Sequence, residues 1–264
     1  MLYAPLMARG VSIKFKSYQE TIPKLLEVIK FDKELQKHPK IVLKPSLRNT
    51  ESPITPADFV DAILQFCMQH KVPDTQIFIA EGSDGIGTME MFELNGYKKL
   101  AEKYGVGLID LNYGEVEEIK DGEFLKFDSI FYPKILLESF TISLPKLAED
   151  SDTEMNGTLA NMLGAFPASH YKGLFSPWKN KIRNWPAKYA VHDIIKCKMP
   201  EFAIIDASEK GFILAGIPLE IDMQASKLLG KEGRAIAHLR LIQENLKEKP
   251  VKKTKEIPPQ EMIR

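Results

Sequence analysis

Short apolar runs that each end at a polar residue recur along the chain, and they constrain the fold more than any other feature. Five of these runs are predicted as strands: residues 41–43, 77–80, 107–111, 141–144 and 202–205. Helical patterns separate the first three, one of them beginning at Thr55-Pro56 with the threonine as a cap and another ending near Tyr104. Strands that alternate with helices form parallel sheets. The sequence therefore predicts an α/β fold with a largely parallel sheet and helices on both faces.

Weaker periodic segments extend this pattern toward both ends of the chain. They predict strands over 11–15 and 123–132, and helices over 18–29, 218–229 and 234–246. Residues 247–264 mix lysine, glutamate and proline without an apolar period, which predicts a flexible charged tail. A chain of 264 residues suits one large domain, so we expect a single α/β domain over 1–246.

The charges of the chain balance, with 36 lysine and arginine residues against 36 aspartate and glutamate residues. No global field would therefore hold the protein on nucleic acid or on an anionic membrane. The sequence begins without the pattern of a signal peptide, and no run approaches the roughly 18 apolar residues of a membrane span. We expect a cytoplasmic protein that does not contact a membrane.

Polar side chains follow the predicted strands at their carboxyl ends, where open parallel sheets bind ligands. The candidates for ligand binding are Lys44, Ser46, Ser83, Lys146 and Asp206. Glu81 and Asp84, directly after the strand 77–80, are candidates for catalysis. Two lysines among carboxylates suit a carboxylate or phosphate ligand, or a divalent metal that bridges to one. Glu81, Asp84 or Asp206 are the unspecific candidates for a magnesium site. Alternatively, both lysines are ordinary loop residues paired with nearby acids.

A glycine-rich turn over residues 81–88 leads into the next predicted helix. It is neither a dinucleotide-binding fingerprint nor a Walker loop, because no Gly-Lys-Ser/Thr follows. Its glycines could approach a ligand, or they could serve only a tight turn that Thr88 caps. The sequence leaves both interpretations open.

An aromatic and basic segment, residues 170–189, is the least regular part of the second half. No acidic residue occurs between Met155 and His192, while lysines and an arginine alternate with aromatic rings. Basic groups beside stacking rings suit single-stranded nucleic acid or a flat anionic cofactor. The rings could equally fasten a long loop to the protein, with the lysines solvated. Within this segment, His170 is the best histidine candidate for acid-base work.

Several short motifs occur in a defined order. Val42-Leu43-Lys44-Pro45-Ser46 precedes a Ser-Pro-rich link, Glu81-Gly82-Ser83 follows the next strand, and Ser143-Leu144-Pro145-Lys146 follows a later one. Asn161-Met162-Leu163-Gly164 and Ile205-Asp206-Ala207 complete the series. In this order the motifs resemble the DUF362 family, a family named for a domain of unknown function.

The resemblance implies that the Lys-Pro and Pro-Lys pairs are family motifs and that Asn161 takes part in ligand binding. Ala148-Glu149-Asp150 stands where the family has Lys-Thr-His, and Ala160 replaces the lysine that precedes the asparagine. Some relatives carry ferredoxin-like cysteine motifs. With two cysteines, this chain resembles a divergent member without an iron-sulfur cluster.

These features favour an enzyme that binds a small anionic metabolite or cofactor through Lys44, Lys146 and Asn161. Glu81, Asp84 or His170 would then transfer a proton. The alternative is a non-catalytic module that uses residues 170–189 to bind single-stranded RNA or an acidic protein partner. A third hypothesis, motivated by the missing Lys-Thr-His, is an interaction subunit whose site has decayed. The sequence identifies neither the reaction, the substrate nor a cofactor.

Overall fold

The computed structural model describes residues 10–247, whose strands form one large sheet and one separate hairpin. The strands of this part of the chain are β1 (Val11–Lys14), β2 (Lys40–Pro45), β3 (Gln76–Glu81), β4 (Gly107–Asp110), β5 (Val116–Ile119), β6 (Ile130–Pro133), β7 (Phe140–Leu144), β8 (Phe202–Ala207) and β9 (Phe212–Gly216). The large sheet has the order β1-β9-β8-β7-β2-β3-β4. From β8 to β4 the neighbours are parallel, whereas β9 is antiparallel to both β8 and β1. The predicted α/β fold with a largely parallel sheet is confirmed.

Helices cover both faces of the sheet. They are α1 (Tyr18–Val28), α2 (Phe31–Leu35), α3 (Ala57–His70), α4 (Thr88–Leu94), α5 (Tyr97–Tyr104), α6 (Lys134–Leu137), α7 (Ala168–Tyr171), α8 (Ala187–Cys197), α9 (Pro218–Ala225) and α10 (Ala237–Lys247). Helices α1 to α5 pack on one face in a first core, and α6 to α10 pack on the other face in a second core. In β2, Ile41 and Leu43 belong to the first core and Val42 to the second. Burial on both faces explains the continuous apolar run of this strand.

The strands of the second half differ from the predicted ones. The predicted strand 123–132 is reduced to the four-residue β6. Just before β6, the backbone N–H groups of Leu125, Lys126 and Phe127 donate to the buried carboxylate of Asp193 instead of to a neighbouring strand. The sequence does not predict β5 or β9, because both are short and lie within a few residues of another strand.

Several predicted helices have other ends. The helix predicted to reach Tyr104 is two helices, α4 and α5, separated at Gly96, whose φ of 81° is left-handed. Toward the end of the chain, α9 continues only as a 3-10 helix over Ser226–Leu229. Lys247 is the last residue of α10, and the rest of the predicted tail lies outside the described residues. Within residues 10–247, no helix combines the length and the apolar composition that crossing a membrane requires.

The order of the strands changes direction at β2. From β2 the chain builds β3 and β4 on one side, and it then crosses over to build β7 and β8 on the other side. In open parallel sheets, ligands bind outside the carboxyl ends of the strands at such a switch point. Here β2 and β7 are neighbours, with Lys44 opposite Ser143. A site is therefore expected just beyond Lys44.

Candidate functional site at the carboxyl edge of the sheet

Lys44 forms a buried ion pair with Glu81, the last residue of β3. Its ammonium donates to Glu81 Oε1 at 2.9 Å and Oε2 at 3.0 Å. It also donates to the backbone oxygen of Asn161 at 2.8 Å and to the Oδ1 of that residue at 3.2 Å. Burial lowers the pKa of Lys44 from its ordinary value, and the carboxylate of Glu81 opposes that shift. Every partner of this lysine is therefore inside the protein.

Asn161 joins β2 and β7 beside this ion pair. It lies in the 3-10 helix Ala160–Ala165, and its Nδ2 donates to the backbone oxygen of Lys44 at 2.9 Å and to Ser143 Oγ at 3.0 Å. Its side chain thus donates on one side and accepts from the Lys44 ammonium on the other. The family resemblance implies that Asn161 is part of the site. In the structure this asparagine contacts Lys44 and acts as a positioning group.

The turn that precedes Asn161 is held by a buried carboxylate of α9. Asp222 accepts from the backbone N–H of Thr158 at 2.7 Å and from that of Leu159 at 2.9 Å. Burial raises the pKa of Asp222 to about 6, although both N–H bonds oppose the shift. The second core therefore fixes the position of the segment that covers Lys44.

The Glu81 carboxylate is enclosed on all sides. Its Oε1 accepts from the backbone N–H of Gly82 at 2.7 Å, and its Oε2 accepts from that of Leu47 at 3.1 Å. A Cβ at Gly164 would lie 2.0 Å from Glu81 Oε1 and 2.7 Å from the Lys44 Nζ. A residue with a side chain would displace the ion pair, so this position requires glycine.

Lys179 is a second buried lysine at the same edge, with 1% of its surface exposed. Its backbone N–H donates to Asp84 Oδ1 at 2.7 Å. Its ammonium donates to the backbone oxygens of Gly82 at 2.7 Å and Gly164 at 3.3 Å. Burial lowers the pKa of Lys179 to about 8, despite the opposing negative charges nearby. A sizeable fraction of this amine is therefore neutral in mildly alkaline solution.

Asp84 ties the glycine-rich turn to two arginines. Its Oδ2 accepts from Arg183 Nη2 at 2.5 Å, and its backbone N–H donates to the backbone oxygen of Arg48 at 2.6 Å. Gly85, at a φ of 81°, lies against Trp178, and a Cβ there would be 2.6 Å from the indole ring. This glycine serves both a tight turn and close packing of the aromatic segment.

Ser83 and Thr88 close the same turn through hydrogen bonds within the protein. The Ser83 hydroxyl donates to the backbone oxygen of Leu47 at 2.7 Å. Thr88 Oγ1 accepts from the Ser83 backbone N–H at 3.1 Å and from Asn112 Nδ2 at 3.0 Å. The N-cap residue of α4 is Gly87, so Thr88 stabilises the turn rather than capping the helix.

A cleft of about 520 Å³ opens beside this cluster. Its charged lining consists of Arg48, Asp84, Asp152, Lys179 and Arg183. Its apolar wall consists of Leu163, Ile182, Trp185, Pro186, Ala187 and Ala190. Gly82 and Gly164, whose carbonyls hold the Lys179 ammonium, also line it. The cleft has the size and the mixed lining of a site for a small molecule.

Both arginines of the cleft keep donors for a further partner. Arg48 donates through Nε to Ser52 Oγ at 2.9 Å and through Nη2 to Asp150 Oδ2 at 2.7 Å. Arg183 donates through Nη2 to Asp84 and stacks over Trp178. Within residues 10–247, neither Nη1 has a hydrogen-bond acceptor. The guanidinium groups are thus held in place with unused N–H groups.

The predicted pair of lysines is separated by the sheet itself. Lys146 lies opposite Asp206 in a parallel bridge, so the two side chains share a face. Asp206 accepts from the hydroxyl of Tyr18 in α1, which covers the first core, whereas Lys44 follows Val42 of the second core by two residues. The Lys146 ammonium instead pairs with Glu209 at 2.6 Å. Lys44 and Lys146 therefore point to opposite faces.

Two further candidates, His170 and Ser46, do not line the cleft. His170 stacks on Phe131 with ring centroids 4.0 Å apart, and it is not among the residues that line the cleft. Ser46 borders a small void of about 10 Å³ together with Glu81 and Asn161. Lys179, Arg48 and Arg183 were not predicted from the sequence as catalytic residues or as ligands of the small anion. The basic pattern of residues 170–189 was the signal that contained two of them.

No group of three or more histidine, cysteine, aspartate or glutamate side chains within residues 10–247 is arranged to hold a metal ion. Glu81, Asp84 and Asp206 each bind protein groups instead, through Lys44, Arg183 and Tyr18 respectively. Cys67 and Cys197 are both free thiols. The candidate site therefore combines lysine and arginine cations with carboxylates that are already paired inside the protein.

The model of the DUF362 family, described as a domain of unknown function, matches residues 41–225. This chain belongs to the DUF362 family. The match runs from β2 through α9 and contains the buried lysines, Asn161 and the cleft. The resemblance carried by the short motifs is confirmed, and the two cysteines agree with a member that lacks the iron-sulfur cysteines. No protein with a curated description matches the DUF362 chain.

One solved structure with a similar fold is described as the lactate racemase apoprotein from Thermoanaerobacterium thermosaccharolyticum. The TM-score is 0.57 at 12% sequence identity, and the match covers 85% of this chain and 58% of that one. The DUF362 chain thus spans little more than half the length of that protein. At this identity, the similarity supports the α/β fold and nothing about the reaction.

Proposed function

We propose that this DUF362 protein is an enzyme that binds a small organic anion in the cleft at the carboxyl edge of the sheet. The observation that carries the proposal is the convergence of Arg48, Arg183 and the buried amine of Lys179 on one cleft at the switch point. Open α/β sheets bind their ligands at this place. Cationic groups with unused donors suit a carboxylate or a phosphate.

The arginines supply the recognition in this proposal. A guanidinium offers a planar fork of donors that matches a carboxylate or phosphate in a bidentate manner. Asp150 and Asp84 each occupy one edge of an arginine and orient it, so that Nη1 is left for the ligand. Each carboxylate also neutralises the charge of the arginine that it orients.

The apolar wall of the cleft indicates which kind of ligand fits beside the arginines. The wall that includes Leu163, Ile182 and Trp185 suits an apolar or aromatic portion beside the anionic group. Lys44 and Asn161, two predicted ligand-binding residues, do not line the cleft themselves, but Lys44 lies against Gly164, which does. The neighbour with a similar fold is named for lactate, a small carboxylate, but the ligand class proposed here rests on the cleft.

We place this activity in the cytoplasm.

The test is thermal unfolding of the full chain with a panel of small carboxylates and organic phosphates. A ligand at about 100 times its Kd should stabilise the protein by about 2.7 kcal/mol. Arg48→Gln and Arg183→Gln should each weaken binding by about 1.5–3 kcal/mol, the typical strength of a hydrogen bond to a charged group. Arg240→Gln, at an exposed position of α10, is the matched control and should leave the shift unchanged.

A panel without any stabilising compound would contradict the proposal, as would a stabilisation that survives both substitutions in the cleft. No observation favours the nucleic-acid or acidic-partner alternative for residues 170–189. Lys179 of that segment is buried, and Arg183 is paired with Asp84. That alternative stays a prediction from the sequence, and salt-dependent RNA binding of the intact protein would test it.

A further inference from the structure

The partners of the Lys179 amine differ from those of Lys44, the other buried lysine within residues 10–247. Within residues 10–247, its Nζ has hydrogen bonds to two neutral carbonyl oxygens, of Gly82 and Gly164, and to no carboxylate. Lys179 and both glycines line the cleft, so this residue forms part of the inner wall of the cleft. Gly82 also lets the amine approach, because a Cβ there would lie 3.1 Å from Nζ.

Two carbonyl acceptors are enough for the two N–H groups of a neutral amine, whereas an ammonium has three N–H groups. A primary amine keeps two N–H groups, which can donate to the two carbonyls, and its lone pair takes the remaining tetrahedral direction. The ammonium would place a third proton there, for which residues 10–247 provide no acceptor. Burial and the neighbouring positive charge of Lys44 act in the same sense and lower the pKa to about 8. An unprotonated lysine amine is a nucleophile toward carbonyl carbons.

We propose that Lys179 forms a Schiff base with the keto carbon of a 2-oxo acid bound in the cleft. This inference rests on the proposed function, because the carboxylate of the 2-oxo acid is the anion that Arg48 and Arg183 bind. The apolar wall then receives the side chain of the acid. The substrate class follows from the two requirements together, a carbonyl for the amine and a carboxylate for the arginines.

The bonds and protons of this step balance without a further reactant. The nitrogen lone pair forms the new bond to the keto carbon, and the carbonyl oxygen leaves as water. Counted from the ammonium, two of its three protons leave with that water and one stays on the iminium nitrogen. Nothing is oxidised or reduced. The single N–H that remains can donate to the oxygen of Gly82, the closer of the two carbonyls.

Reductive trapping of the full chain tests the inference. The protein is incubated with pyruvate, 2-oxobutyrate or phenylpyruvate and sodium cyanoborohydride, which reduces an iminium to a stable secondary amine. Intact mass and peptide mapping should show one adduct, at Lys179. Lys179→Arg keeps the charge and donors without a primary amine, and it should lower labelling at least about tenfold. Lys181→Arg, on the neighbouring exposed lysine, is the control and should label like the wild type.

An absence of any adduct, or labelling spread equally over exposed lysines such as Lys172 and Lys181, would overturn the Schiff base. The map of the wild-type protein decides this even if Lys179→Arg does not fold. The matching 2-hydroxy acids separate the two proposals, since they have the carboxylate without the carbonyl. If they stabilise the protein through Arg183 but no 2-oxo acid is trapped, the Schiff base alone fails. If neither class of acid stabilises the protein, the proposed function fails as well.

Discussion

Lys44 and Lys179 are both buried at the carboxyl edge of the sheet, yet their ammonium groups meet different partners. Lys44 faces the Glu81 carboxylate and two oxygens of Asn161, and none of its side chain is exposed. Lys179 faces two backbone carbonyls in the wall of a cleft. A carboxylate requires the charge of its lysine, whereas carbonyls accept from a neutral amine equally well. One lysine therefore builds the site, and the other is available for chemistry.

The largest effect that this comparison predicts is on stability. Lys44→Met leaves the Glu81 carboxylate buried without its cation and should lower the free energy of unfolding by about 3–5 kcal/mol. Lys179→Met leaves two carbonyls without a donor and should cost less, about 1–3 kcal/mol. Chemical denaturation of the two variants measures the difference.

A double-mutant cycle shows whether the ion pair is the cause. Lys44→Met combined with Glu81→Met removes both charges, so the pair should cost much less than the sum of the single substitutions. Additive costs, or equal costs at Lys44 and Lys179, would show that the two lysines do not differ in the way their partners indicate.

Gly164 touches both lysine sites, so a side chain there should disturb both. In Gly164→Ala, the new Cβ would meet Glu81 Oε1 at 2.0 Å, and overpacking of this kind typically costs about 1–3 kcal/mol. Gly122→Ala is the control, because a Cβ there meets nothing within 4 Å. The control should stay within about 0.5 kcal/mol of the wild type. A Gly164→Ala protein as stable as the control would mean that the ion pair can move aside.

The pH dependence of stability separates the two lysines further. Lys179 has a pKa of about 8 in the folded protein against 10.5 in the unfolded chain, with Lys44, Glu81, Asp84 and Asp110 as the charges around it. Between these values the unfolded chain binds more protons, so the contribution of this group to stability rises with pH. The slope is at most about 1.4 kcal/mol per pH unit.

The measurement compares unfolding free energies of wild type and Lys179→Met from pH 8 to about pH 10, where lysine titrates. The free energy of unfolding of the wild type should increase relative to that of Lys179→Met as the pH rises. Lys181→Met, at an exposed lysine, is the control, and its free energy of unfolding should differ from that of the wild type by the same amount at every pH. A constant difference between wild type and Lys179→Met would mean that Lys179 stays charged when buried.

Much of the fold follows from sequence patterns because the parallel strands are buried on both faces. In β2 the apolar run Ile41-Val42-Leu43 favours a buried strand, and in β7 the predicted strand 141–144 was found although Thr141 and Ser143 interrupt its apolar residues. Thr55 shows where local pattern fails. It has the features of a helix cap, but the N-cap residue is Pro56, and the Thr55 hydroxyl donates to the backbone oxygen of Leu144 at the end of β7. A contact between distant segments replaced the local one.

The candidate site was predictable only in part, for a similar reason. The carboxyl ends of β2 and β3 must be close in a parallel sheet, so the meeting of Lys44 and Glu81 follows from strand order. Lys179 reaches the same place from a loop about 95 residues after the turn at Asp84. No local pattern encodes that return. The face to which a strand-end lysine points also depends on the register, which a one-residue shift reverses.

Lys146 provides the smallest predicted effect. Its pair with Glu209 is exposed, with 26% and 68% of the two side chains accessible, and exposed pairs contribute about 0–1 kcal/mol. Lys146→Ala should therefore change little, both in denaturation and in the thermal shift that a bound anion produces. Lys210→Ala is the control, because Lys210 directly follows Glu209 in the same 3-10 turn. If Lys146→Ala alone abolished the shift, the anion would bind on the face of Tyr18 and Asp206, and the cleft beside Lys179 would lose its role.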